Sequence, residues 1–141
     1  MQETKKKKRA VALFVIVLIC LCGWWAVRKE GFFLDEIYSY GLANSSYAPF
    51  LNWYYNGEHS FDGNLPEAVF EQQDFVNYIS VQKNDRFNYA SVYYNQTQDI
   101  HPPLFYFLLN TVCSLFPGSF TKWTGLGMNF VLLGGTCLLY T

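Results

Sequence analysis

Charge is scarce in this sequence and unevenly placed. Charged residues make up 15% of the 141 residues, below the roughly 25% usual for a soluble domain. That deficit excludes a charged coiled coil. With hydrophobic residues at 51% and aromatics at 20%, it also excludes a disordered chain. After Lys29 the only basic side chains are Lys83, Arg86 and Lys122, so a basic nucleic-acid-binding surface is excluded. Acids are absent after Asp99. Cysteine is absent from residues 30–101. Cys20, Cys22, Cys113 and Cys137 all fall in apolar segments, which argues against a disulfide framework or a metal box and for packing roles. Internal repeats are absent as well. The net charge of −1 and the mean hydropathy of +0.04 average over unlike segments.

Resolved along the chain, the charge is polarised. Residues 1–29 hold seven basic side chains against Glu3, and residues 30–101 hold ten acids against Lys83 and Arg86. Residues 102–141 hold Lys122 alone. Ala10 to Val27 is an 18-residue run without charge, about 27 Å as helix against a hydrocarbon core of about 30 Å. Trp24 and Trp25 stand at its far end, where amphipathic rings favour the headgroup zone. Residues 1–9 form a basic start that stays cytoplasmic, residues 10–27 a first transmembrane helix, and residues 28–101 an extracytoplasmic segment. The basic run also attracts anionic lipid. A cleaved signal peptide is the competing view, but its apolar region is usually shorter and ends in small residues rather than tryptophans.

Two further apolar stretches follow. Residues 102–116 open on Pro102-Pro103, which suits a helix start, and are expected to form a second, short span. Asn110, Thr111 and Ser114 share one face of it, which would pack on another helix or line a cavity. Residues 117–122 read as a cytoplasmic turn. Residues 123–141 read as a third span, with Gly125, Gly127, Gly134 and Gly135 permitting close helix approach. The fold class expected is therefore all-α integral membrane, with two to three spans and a long helical extracytoplasmic loop between the first and second.

That loop is too long to be a plain connection. Three helices are predicted in it. Asp35–Asn44 carries Ile37, Tyr38 and Leu42 on an apolar face. Asn64-Leu65-Pro66-Glu67 resembles a capping box opening a helix to about Gln82, with Val69, Phe75, Val76 and Ile79 inward. Phe87–Asn95 has Phe87, Ala90 and Tyr94 on one stripe. Residues 49–55 (PFLNWYY) are aromatic enough for the membrane interface. Asn44-Ser45-Ser46 and Asn95-Gln96-Thr97 are glycosylation triplets of the kind that arises often by chance.

Two acid-centred sites carry the chemistry. Asp35-Glu36 follows the first span, and Asp99-Ile100-His101-Pro102-Pro103-Leu104 precedes the second. A carboxylate in a partly desolvated aromatic interface has a raised pKa and is a better base. That suits removal of a proton from an acceptor as a leaving group departs. The competing structural role for Asp35 and Glu36 is capping of a helix N-terminus, where acids are favoured by about 0.3–1 kcal/mol.

A basic start, a span, an outer Asp-Glu doublet, a helical loop and then D-x-H-P-P-L-F-Y-F-L-L-N resembles the GT-C membrane glycosyltransferases. More narrowly, the pattern is similar to the protein O-mannosyltransferase, aminoarabinose-transferase and RgtA/B/C/D-like group. Gly118-Ser119-Phe120 followed by Lys122-Trp123 is similar to that group's turn before the third span. The resemblance implies transfer of a sugar from a polyprenyl-phosphate donor to a glycan, lipid or protein acceptor, with inversion. It implies Asp35 as general base, Glu36 as a substrate-positioning group, and Asp99 and His101 as substrate-binding residues at the site's mouth. Members of the family differ on a bound divalent metal, and the residues here assemble no metal-ligand set. Members also have many more spans, so the chain is expected to be an N-terminal portion, inactive alone. The competing function is a membrane-anchored adaptor whose external aromatic surface binds a partner.

Overall fold

In the computed structural model, residues 2–51 and 70–139 are described. All regular structure among them is helical, with no strand. The helices are α1 (Gln2–Arg28), α2 (Leu34–Asn44), α3 (Gln72–Ile79), α4 (Tyr89–Thr97), α5 (Pro103–Leu115) and α6 (Lys122–Leu139), with one 3-10 turn at Lys83–Asp85. The chain divides into two compact units. One comprises residues up to Gly31 together with those from Gly125 onward, and the other is Phe32–Thr124.

In the first unit, α1 is one continuous helix of 27 residues. Among the described residues it contains the one stretch long and apolar enough to cross a membrane, Lys6–Arg28. Its apolar side chains lie largely open: Leu13 is 64% exposed and Ile16 57%. The Arg28 guanidinium lies 4.2 Å from the centroid of the Trp24 ring, a cation–π contact that closes the helix with charge at its end. In the α6 part, Gly127, Gly134 and Gly135 have no atom within 4 Å of where a Cβ would sit, so the close approach expected at these glycines is not made among the described residues.

The second unit is built around the C-terminal end of α2. The last carbonyls of any helix lack intrahelical donors; here two asparagine side chains from neighbouring helices supply them, and a third, at the end of α2 itself, does the same for α3. Asn95 of α4 donates through Nδ2 to the carbonyls of Leu42 (3.2 Å) and Ser45 (2.9 Å). Asn110 of α5 donates to the carbonyl of Ala43 at 2.8 Å. Asn44 itself donates to the carbonyl of Ile79, at the end of α3, at 2.7 Å. All three are buried. Both glycosylation triplets thus begin on an asparagine enclosed in the core, Asn44 and Asn95. Apolar packing completes the unit: Leu42, Tyr78, Val81, Val92 and Leu109 are almost fully buried. Gly41 lets the Tyr78 ring lie directly on α2, and the Tyr78 hydroxyl donates to the Pro49 carbonyl at 2.8 Å.

The local structure corrects several expectations. The second predicted helix is α3, Gln72–Ile79, opened by the Asp74 carboxylate accepting from the Glu71 N–H at 2.9 Å. The box at Asn64–Glu67 lies outside the described residues. Phe75 is 38% exposed, and the ring that turns inward is Tyr78. The third helix, α4, buries Ser91, Val92, Asn95 and Gln96 rather than the stripe of Phe87, Ala90 and Tyr94. Ser91 and Asn95 face inward there because they serve carbonyls at the end of α2: the Ser91 hydroxyl donates to the Ser45 carbonyl at 2.8 Å. Within residues 49–55, Pro49 is fully buried under Tyr78 rather than placed at an interface, and residues 52–55 are outside the described set.

The largest correction concerns residues 102–116. The helix α5 is 13 residues, about 20 Å long, and buries Tyr106, Leu109, Asn110, Cys113 and Ser114 within the second unit. The Ser114 hydroxyl accepts from the Phe87 N–H at 2.9 Å, and the Ser114 carbonyl accepts from Arg86 Nε at 2.7 Å. Beyond the helix, the Gly118 N–H donates to the Val81 carbonyl at 2.8 Å. The Tyr40 hydroxyl donates to the Thr121 carbonyl at 3.1 Å, and the Phe120 ring centroid lies 4.5 Å from that of Phe32. Residues 114–121 therefore touch Phe32, Tyr40, Val81, Arg86 and Phe87. The polar face of Asn110 and Ser114 is a helix-packing face, and α5 is packed within this unit.

Candidate functional site

Asp35 and Glu36 occupy the first turn of α2, where the helix dipole favours acids. Their roles separate. The Glu36 carboxylate accepts from the Phe33 N–H at 2.9 Å and closes the helix start, because Phe33, at the cap position, has no acceptor of its own. Glu36 is thus engaged in the structural role that competed with substrate positioning. Asp35 is exposed, and its carboxylate has no hydrogen-bond partner among the described residues. The desolvated setting expected for Asp35 is not formed by those residues. Its backbone carbonyl accepts from the Ser39 hydroxyl, one turn on, at 2.8 Å.

Asp99 and His101 form a pair, with Asp99 Oδ2 2.7 Å from His101 Nδ1. The Asp99 side chain is only 16% exposed, whereas that of His101 is 61% exposed. A largely buried carboxylate thus holds an outward imidazole. In the neutral imidazole tautomer with its proton on Nδ1, this contact is a donation to Oδ2 and Nε2 faces outward as an acceptor. Backbone bonds fix the segment: the Asp99 N–H donates to the Gln96 carbonyl at 3.2 Å, and α5 begins at Pro103.

Tyr106 joins the two acidic sites. It is buried on the inner face of α5. The Ser39 side chain of α2 and the Asp99 carboxylate both act on its hydroxyl. Burial pushes the Tyr106 hydroxyl above its ordinary pKa, the negative charge of Asp99 adds to that shift, and the Ser39 side chain opposes it. The His101 ring lies 6.5 Å from the Tyr106 ring, centroid to centroid. The structure therefore brings Asp99 and His101 into direct contact and links them to the first turns of α2 through Tyr106 and Ser39. Neither Tyr106 nor Ser39 stood out in the sequence. Tyr106 was hidden inside an apolar run that read as membrane-facing, and the signal available was its hydroxyl within D-x-H-P-P-L-F-Y.

The chemistry this arrangement supports is proton transfer at an exposed carboxylate and an exposed, buttressed imidazole. Among the described residues no group of three His, Cys, Asp or Glu side chains stands close enough to hold a metal ion. No known protein family matches the chain, and no curated protein or solved structure is significantly similar to it.

Proposed function

We propose that the chain is the N-terminal portion of a GT-C-like membrane glycosyltransferase, moving a sugar from a polyprenyl-phosphate donor to an extracytoplasmic glycan, lipid or protein acceptor. In this reading the protein is a multi-pass cell-membrane protein. The helix α1 crosses outward from a cytoplasmic N-terminus, Phe32–Thr124 stands on the outer side, and α6 returns through the bilayer. The observation that carries the proposal is the Asp99–His101 pair at the start of α5, a helix that packs against α2, whose first turn bears Asp35.

The chemical step follows from the chain's own groups. The acceptor oxygen attacks the anomeric carbon as its proton passes to the Asp35 carboxylate. The bond from that carbon to the phosphate oxygen breaks, and polyprenyl phosphate leaves with the electron pair, which inverts the centre. Asp99 and His101 are assigned to substrate binding, whereas Glu36 keeps the turn bearing Asp35 in place. The leaving phosphate needs cationic stabilisation. Arg86 is engaged with the Ser114 carbonyl, so that charge is assigned to segments beyond this chain.

The test is transfer from a polyprenyl-phosphate sugar in membranes carrying the whole gene product. Asp35→Asn should lower turnover by roughly 10²-fold or more while expression persists. Turnover near that of the unaltered protein would remove Asp35 from the chemistry. A second reading, a membrane-anchored adaptor, draws on exposed apolar side chains: Phe33 is 74% exposed, Ile100 94% and Leu104 69%. Capture of a protein partner through these three side chains, with no transfer activity, would favour it.

A further inference from the structure

The basic N-terminal run and the open face of α1 belong to one stripe. Successive residues of a helix step by about 100°, so positions three and four apart share a face. From Lys6 the stripe descends through Arg9 and Leu13 to Val17 and Cys20. Lys6, Arg9, Leu13, Val17 and Cys20 are all exposed or nearly so. On the same side, Ile16, Val17, Cys20, Leu21 and Trp24 form a shallow, open apolar groove. Val15 and Ala26, which are buried, fall on the opposite side of the helix. Lys7 and Lys8 also point away from the stripe, by the same 100° step.

We infer that this stripe binds one anionic phospholipid, its headgroup held by Lys6 and Arg9 and an acyl chain lying along Leu13 and the upper groove. The inference goes beyond the catalytic reading and requires only that α1 enters a bilayer. Charge complementarity selects the occupant, because two cations stand directly above an apolar groove with no acid near them but Glu3. Length agrees as well. One leaflet is about 15 Å of hydrocarbon, half of the full core. At about 1.5 Å per residue that distance runs from Arg9 to the neighbourhood of Cys20.

The test compares two variants that lose the same charge. The chain is reconstituted in vesicles of zwitterionic phosphatidylcholine with about one-third anionic phosphatidylglycerol, a composition set by the need for an anionic surface. It is then extracted in mild detergent, and the retained lipids are measured by mass spectrometry. Retention of phosphatidylglycerol is expected, with a fall of roughly 30-fold in Lys6→Gln/Arg9→Gln, the combined worth of two cations near an anionic headgroup. Lys7→Gln/Lys8→Gln should change retention by less than about 3-fold, because neither side chain faces the stripe. Equal losses in both variants would mean a diffuse basic collar and would overturn the site. Retention unaffected by either variant, or a second protein helix cross-linked at Cys20 in place of lipid, would overturn it too. Failure of the chain to float with any vesicle would instead remove the membrane anchor itself, a result separable from loss of transferase activity.

Discussion

The helices α1 and α5 are both apolar runs that read as spans, yet they occupy opposite environments. Along α1, large side chains such as Leu13, Ile16 and Trp25 are more than half exposed. In α5, Leu109 is 1% exposed, and its neighbours Asn110 and Ser114 are at 2% and 0%. Hydropathy does not separate the two; the polar residues do. Between Ala10 and Val27, α1 has no strongly polar side chain that must find a partner. By contrast, α5 carries the Asn110 carboxamide and the Ser114 hydroxyl at i, i+4 spacing, and both meet backbone of another segment. An unmet carboxamide costs about 1–3 kcal/mol when buried. A helix with such a face is stable where partners stand ready, and α2 supplies them.

Charge placed on each helix is the strongest way to break this comparison. Leu109→Asp should unfold the Phe32–Thr124 unit, at a cost above roughly 4 kcal/mol, because an unpaired carboxylate would enter a site closed to water. Ile16→Asp should leave the melting of that unit unchanged and lower the membrane-bound fraction, as expected from an insertion cost of about 2.5–3.5 kcal/mol. Thermal melting in detergent and membrane fractionation read the two effects. A common response of both variants would erase the distinction. Next in size is Asn95→Ala, which takes the side-chain donor from the Leu42 carbonyl and leaves the Ser45 carbonyl with the Ser91 hydroxyl. A loss of roughly 3 kcal/mol is expected, measured by denaturant unfolding. A loss below about 0.5 kcal/mol, the level of a neutral surface change, would show that water replaces the carboxamide. Smaller again is Gly41→Ala. Its methyl would overlap the Tyr78 ring, which the Pro49 carbonyl holds in place. A loss of roughly 2 kcal/mol is expected from overpacking, and an unchanged midpoint would mean that the ring can withdraw.

Much of the fold was legible in the sequence, and the unreadable part has one cause. The long apolar helix, the start of α2 at its acidic doublet and the proline-led start of α5 follow from local rules of length, capping and backbone geometry. The inward faces of α3 and α4 followed only at Ile79, which is buried as expected. Their other buried residues include Tyr78, Ser91 and Asn95, chosen by what α2 and Pro49 present to them rather than by apolar periodicity. At the candidate site, Asp35 and the Asp99–His101 pair were visible as motifs, and capping was already a role open to the acidic doublet; the geometry at Phe33 assigns it to Glu36. Tyr106 and Ser39 acquire meaning only once α2 and α5 lie side by side.

That side-by-side packing is the claim on which the proposed topology and site both rest, and two single-cysteine variants test it directly. Ile100 precedes α5 and is 94% exposed, and Phe116 follows it at 61%. With Ile100→Cys and Phe116→Cys in sealed cells, a membrane-impermeant maleimide should label both from outside, since both ends of α5 belong to one compact unit. Labelling of Ile100→Cys from outside, but of Phe116→Cys only after the membrane is opened, would make α5 a span and contradict the account.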